Sequence, residues 1–217
     1  LSDLDDALIL DMGGTTTDIA IIRNRIPRID EEGAKVGGFL TRVEAAAINT
    51  YGLGGDSYIQ LSMQRKLQIG PQRVWPISVV SAKYPYLVNE LRDIRIPYTY
   101  LLLYSQITDC FMILNEKKTN NYSEKELRVL EELKDGPHSL IYLVKKMEEE
   151  LNLFDLNRLV NIGALGRISV TPTDILHATG EYTQWNTEGA TTAISLLAQR
   201  FCMSYDQFID FVIDGIV

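Results

Sequence analysis

The chain has 217 residues, 46% hydrophobic and 23% charged, the balance of a folded globular protein rather than a disordered, collagen-like or coiled-coil one. Its 21 basic and 29 acidic residues leave a net charge of -8 and a pI near 4.8, which predicts repulsion from nucleic acid and anionic membrane. No apolar run approaches the roughly 20 residues of a membrane-spanning helix. The first residues lack the pattern of a signal peptide, and a start at Leu1 without Met reads as a piece of a longer chain. Cys110 and Cys202 suggest two buried thiols in a reducing, cytoplasmic setting rather than a disulfide. His138 and His177 are too few for a histidine-rich metal site, and no zinc spacing occurs.

The first part of the chain reads as strands. Residues 7–10 form an apolar run closed by Asp11, Gly13 and Gly14. Residues 19–22 form a second, and residues 26–29 return as its hairpin partner. Residues 39–43 are a third strand candidate after Gly37 and Gly38, and residues 44–48 favour a short helix. The glycine-rich stretch 52–57 breaks the chain. Residues 58–61 and 67–69 then flank the polar turn Gln64-Arg65-Lys66 as a hairpin. Residues 74–80, 98–104 and 110–114 are further strand candidates, so the sheet-rich part ends near Asn115, before a polar surface linker at 116–121.

Helical spacing follows. Ser123 and Glu126 form a capping box, Leu127, Leu130 and Leu133 share one face, and residues 135–137 stop the helix. Ser139 caps a second helix with Leu140, Leu143, Val144, Met147 and Leu151 at helical spacing. Residues 154–162 read as a third helix, and 163–170 as a small wing. Thr171-Pro172-Thr173-Asp174 starts another helix, which Gly180 ends. Residues 187–200 form a longer one, and Ser204 begins the last.

The stretch with the most chemical content is Asp11-Met12-Gly13-Gly14-Thr15-Thr16-Thr17-Asp18. A strand delivers a carboxylate at its end, and two glycines let the backbone turn tightly and approach a ligand. The threonines add hydroxyls and N–H donors, a combination that cradles phosphate oxygens. Asp11 and Asp18 are placed to meet Mg²⁺ directly or through water. The same residues would also make a plain glycine hairpin whose side chains satisfy turn N–H groups.

Taken together, Asp-x-Gly-Gly-Thr-x-x-Asp between two apolar strands resembles the second phosphate-binding hairpin of the actin, heat-shock chaperone and sugar-kinase ATPases. Within that superfamily the chain resembles the hydantoinase/oxoprolinase A-type family. Residues 37–43, the glycine-rich stretch 52–57, Ile69-Gly70-Pro71, Lys83-Tyr84-Pro85 and residues 171–177 are similar to family motifs in the same order. The resemblance implies an α/β fold: a ribonuclease-H-like half of an actin-type ATPase core (residues 1–115), a helical, winged-helix-like insertion (122–170), and C-terminal helices returning to the core (171–217).

It also implies an ATP-dependent enzyme that hydrolyses small cyclic amides of the hydantoin or 5-oxoproline type, or carboxylates a related carbonyl compound. A non-catalytic nucleotide-sensing or scaffold protein of the same fold is the alternative. Carried onto this chain, Asp11, Gly13, Gly14, Thr15 and Thr16 would face ATP phosphates, with Asp11 near Mg²⁺. Asp18 would brace the hairpin, and Gly54 and Gly55 would line the nucleotide or substrate cleft. Asp56 stands where many relatives have glycine. Only one phosphate hairpin is present, so the first-half hairpin would precede Leu1, and this chain by itself would not close the cleft. A B-type partner subunit is a further implication; nucleic acid and membrane are not expected partners.

Other residues have simpler readings. The third helix of the winged-helix-like block offers Arg158 and little else for DNA phosphates, and Glu148-Glu149-Glu150 precede it. His177 reads as a satisfied helix histidine rather than a general base, and both cysteines as core. Tyr98, Tyr100 and Tyr104 would share one face of an extended strand.

Overall fold

Short apolar runs broken by glycine and asparagine build the described part of the N-terminal unit almost wholly from strands. The computed structural model describes residues 4–30, 35–36, 39–40, 45–62, 64–95, 102–117 and 121–216. The chain is α/β and divides into two compact units, Leu1–Gly55 and Asp56–Val217, with the boundary inside the glycine-rich stretch.

In the first unit, strands β1 (Ala7–Met12) and β2 (Thr17–Arg23) form an antiparallel hairpin that sets Leu10 opposite Ile19 and Asp11 opposite Asp18. A two-residue loop, Asn24 and Arg25, both at positive φ, returns the chain as β3 (Ile26–Pro27) along β2. Three short pieces follow: β4 (Ile29–Asp30), β5 (Lys35–Val36) and β6 (Phe39–Leu40), the last two paired together. The expected strand at 39–43 is thus described only at its start, and Gly37 and Gly38 lie outside the described residues.

The stretch expected to favour helix is instead extended. β7 (Ala45–Ala46) pairs β4, and β8 (Ile48–Tyr51) pairs β2. Alanine's helix preference amounts to less than about 1 kcal/mol per residue, which a ladder of cross-strand hydrogen bonds overrides.

The second unit opens with the expected hairpin, β9 (Ser57–Leu61) against β10 (Leu67–Arg73). Residues 74–80, expected as a strand, are extended only at β11 (Trp75–Pro76). Pro76 then caps helix α1 (Ile77–Lys83), and α2 (Tyr86–Arg92) follows. The cause is remote: the Asp174 carboxylate accepts hydrogen bonds from the backbone N–H of Ile77 at 3.3 Å and Ser78 at 2.8 Å, satisfying the helix's first donors. Of the tyrosine strand, residues 98–101 lie outside the described residues, and residues 102–104 are not strand.

β12 (Cys110–Ile113) precedes α3 (Glu124–Glu132), which carries the expected Ser123–Glu126 capping box. β13 (His138–Ser139) leads into α4 (Leu140–Met147), capped by Ser139, and α5 (Asn157–Asn161) is the core of the expected third helix. The expected wing is a central strand: β14 (Leu165–Ser169) lies between β11 and β12 in the order β11-β14-β12-β13, parallel to β11 and antiparallel to β12. All five of its residues are buried, so it is core and not a surface hairpin. Helices α6 (Pro172–Thr179), α7 (Thr187–Arg200) and α8 (Tyr205–Ile216) complete the unit as expected. Phe111, Phe154 and Phe208, each at most 1% exposed, anchor the core.

Asp174 ties two helix starts together. Besides its bonds to α1, it accepts from the Thr171 N–H and Oγ1, both at 2.9 Å, closing the α6 capping box. Burial raises its carboxyl pKa, against the lowering effect of the bonds from Ser78 and Thr171. A carboxyl whose folded pKa is raised binds a proton more readily folded than unfolded, so its contribution to stability is greatest at acid pH and falls as pH rises through the raised value. Asp174→Ala should cost about 2–4 kcal/mol, because caps on two helices are lost together. Asp174→Asn, which keeps one acceptor, should lose less; equal losses in urea unfolding of the two variants would count against the capping role.

Among the described residues no helix is long and apolar enough to cross a membrane. Cys110 is buried, and burial followed by the Glu90 and Asp109 carboxylates raises its thiol pKa. Cys202, expected in the core, is exposed: it follows α7 in a tight reversal with φ of 54°.

Candidate functional site

The Asp11 to Asp18 stretch forms the tip of the β1–β2 hairpin. The turn is closed by Gly13 N–H donating to the Thr16 carbonyl at 2.9 Å. Gly13, Gly14 and Thr15 are exposed and Thr16 partly so, which leaves the backbone of the turn open to solvent. Thr17 is buried, and its hydroxyl donates to the Leu53 carbonyl at 2.6 Å.

The glycine-rich stretch is drawn against this turn. Gly55 N–H donates to the Gly13 carbonyl at 3.0 Å. At Gly54 a Cβ would stand 2.5 Å from the Thr15 nitrogen and 2.6 Å from the Gly13 oxygen and Gly14 carbonyl carbon. The two motifs, some 36 residues apart in sequence by the Thr17–Leu53 bond, therefore meet as one layer of backbone inside the first unit. Gly54 is buried beneath that layer, supporting the turn from behind. Gly13 differs: a Cβ there would meet only the Thr16 oxygen, at 3.7 Å, so the turn itself does not demand glycine at this position.

The two carboxylates of the motif have separate roles. Asp18 accepts from the Thr50 hydroxyl at 2.6 Å, which fastens β2 to β8. Asp11, directly across the hairpin, is exposed, and its carboxylate makes no hydrogen bond or ion pair among the described residues. Cross-strand partners share one face of a sheet, so both acids present oxygens on the same side. Mg²⁺ typically takes one or two carboxylates and fills its remaining positions with water and phosphate oxygens, and Asp11 is available for that. Among the described residues no group of three His, Cys, Asp or Glu could hold a metal with protein ligands alone.

Asp56 is committed elsewhere: its carboxylate binds Arg73, with Nε at 3.0 Å and Nη2 at 2.8 Å. This partner lies 17 residues away and had no sequence signal. His177 is buried and satisfied on both nitrogens. Nδ1 contacts the Thr173 carbonyl at 2.8 Å, and Nε2 accepts from the Trp185 N–H at 3.1 Å, so Nδ1 carries the proton and no lone pair is left for a general base.

The second unit holds a buried polar network that the sequence reading missed. Arg167 on β14 ion-pairs with Asp109, just before β12, and donates to Asn157 Oδ1 at 2.7 Å. Tyr58 on β9 donates to the Asp109 carboxylate, with both oxygens at 2.9 Å, and Gln106 N–H reaches the same group at 3.0 Å. The guanidinium carbon lies 5.4 Å from the Tyr58 ring centre and 5.3 Å from that of Phe111. Burial, then the Asp109 carboxylate, pushes the Tyr58 phenol far above its ordinary pKa, so it remains a donor. These groups bond one another and link β9, β12, β14 and α5, leaving among the described residues only the Arg167 Nε of the network without a hydrogen-bond partner.

A family model described as hydantoinase/oxoprolinase matches residues 1–181. Among solved structures, a nucleotide-free acetone carboxylase, from work on the mechanism of ATP-dependent acetone carboxylation, is similar with a TM-score of 0.47 and 14% identity. That likeness covers 98% of this chain and 20% of the other, so the chain spans about a fifth of that relative's length. A search of curated proteins gave no match.

Proposed function

The chain belongs to the hydantoinase/oxoprolinase family, and on that premise we propose that it is the phosphate-binding half of an ATP-dependent enzyme acting on a carbonyl group of a small molecule. Its substrates would be cyclic amides of the hydantoin or 5-oxoproline type, or a ketone to be carboxylated. The fold would be one ribonuclease-H-like half of an actin-type ATPase core. The observation that carries the reading is the exposed turn Gly13–Thr16, backed by the buried Gly54 and flanked by the uncommitted Asp11 carboxylate.

Activation by ATP requires that phosphate charge be neutralised and the phosphates held in line, with little covalent chemistry by the protein. Backbone N–H groups of Gly14, Thr15 and Thr16 and the threonine hydroxyls would hold phosphate oxygens. Asp11 would hold Mg²⁺, which supplies charge neutralisation at the phosphates, and Gly55 would keep the turn in place. Leu8 and Leu10 of β1 are each 61% exposed, and an apolar strand of this kind is normally covered, which supports a core in which this second half works with a first.

The test is Mg-ATP titration calorimetry on a full-length protein carrying this chain and on the Gly13→Val variant. A Cβ at Gly13 would meet only the Thr16 oxygen, at 3.7 Å, while the valine side chain beyond it would project where phosphate must approach. Loss of about tenfold or more in affinity with an unchanged melting temperature is expected. Unchanged ATP binding would show the phosphate assignment to be wrong. Absence of binding by the parent itself would favour a scaffold role for the same fold.

A further inference from the structure

We propose that the groove between α2 and α7 binds a small oxyanion ligand, with a phosphate or carboxylate head on a compact apolar body. This does not rest on the nucleotide reading, because every residue involved lies in the second unit and none belongs to the hairpin.

The groove encloses a cavity of about 700 Å³, the size of a metabolite site. Arg92, Arg95 and Arg200 line it, and no carboxylate does among the described residues, although acidic residues outnumber basic ones 29 to 21 in the chain. Concentrating three guanidiniums around one hollow of an acidic protein produces a local field of the opposite sign to its net charge.

The donors are arranged on two rigid elements. Thr191, Ser195 and Gln199 follow one another at four-residue intervals on α7, forming a polar stripe, while the helix buries Ala190, Ile194 and Leu197 elsewhere. Opposite them Arg95 is fastened through Nη1 to the Arg92 and Ile94 carbonyls at the end of α2. Its Nε and Nη2 make no hydrogen bond among the described residues, leaving one edge of the guanidinium available for bidentate binding of an oxyanion. Arg92 pairs with Glu188 at an exposed rim, where an ion pair is weak and exchangeable. Arg200 is partly buried at the same groove, and burial lowers its pKa. Buried Leu91, Ile94 and Ile107 supply the apolar wall.

Titration calorimetry of the 217-residue chain with pyrophosphate and with glutarate, at constant low ionic strength, tests the site. Binding at about 1 mM or tighter is expected for at least one of them. Arg95→Gln and Ser195→Asp should each weaken it about tenfold or more, the first by removing the fork and the second by placing a like charge in the groove. Arg95 is exposed, so that variant should keep the parent melting temperature. Binding of pyrophosphate alone would mark a phosphorylated ligand and of glutarate alone a carboxylate. No binding of either, or binding that both variants leave unchanged, would overturn the site.

Discussion

Asp109→Ala is expected to lower the unfolding free energy by about 3–5 kcal/mol, read as a fall in the urea midpoint at constant m-value. The side chains of Arg167 and Asp109 are 3% and 0% exposed, so the substitution strands a guanidinium in the core with no counter-ion. It also removes the acceptor of the Tyr58 hydroxyl and of the Gln106 N–H. Most of that loss reflects the orphaned charge and not the net value of the pair. The double variant Asp109→Ala/Arg167→Met should therefore be more stable than Asp109→Ala alone, since an apolar side chain needs no partner there. A double variant as unstable as the sum of the two single ones would show that the pair acts as two independent packing groups.

Gly54→Ala should damage the first unit and Gly13→Ala should not. The new methyl at Gly54 would lie 2.5–2.6 Å from three backbone atoms of the turn, which cannot step aside as a flexible side chain would. Relief requires the turn to lift off the glycine-rich stretch, breaking the Gly55–Gly13 hydrogen bond, at about 1–3 kcal/mol. At Gly13 the methyl finds ordinary contact distance and the cost should be within about 0.5 kcal/mol, as at an unconstrained surface position. Hydrogen exchange of the β1 and β2 amides would separate the two: faster exchange in Gly54→Ala, parent-like exchange in Gly13→Ala. If ATP binds this turn, Gly54→Ala should also weaken it, through displaced N–H donors. Equal exchange in both variants would mean that the close approach does not constrain the hairpin.

Several elements were legible because their signals are local. The Ser123 and Thr171 capping boxes carry donor and acceptor within three residues, and both helices start where those residues stand. The β1–β2 hairpin follows from two apolar runs around a glycine pair, and its register puts the two motif aspartates face to face. Helix α1 was not legible: residues 74–80 are β-branched and apolar enough for a strand. What makes them helical is a carboxylate nearly a hundred residues away, bound to Ser78 N–H. Residues 45–48 went the opposite way, Ala45 and Ala46 drawn into a strand by pairing with β4 and Ile48 by pairing with β2.

The candidate site divides along the same line. The sequence by itself determined the family, the glycine turn and the residues that form it, because backbone chirality and side-chain chemistry of eight consecutive residues do not depend on distant partners. Tertiary structure alone decided which of the candidate residues are free to act. It spends Asp18 on Thr50, Asp56 on Arg73 and both nitrogens of His177 on backbone, and among the described residues it leaves the Asp11 carboxylate without a partner. It also presses Gly54 against the hairpin and closes the Arg167–Asp109–Tyr58 network from segments about 50 and 110 residues apart. Hydrogen bonds and ion pairs act over a few ångströms, so only the folded chain sets which groups satisfy one another and which remain available for a ligand.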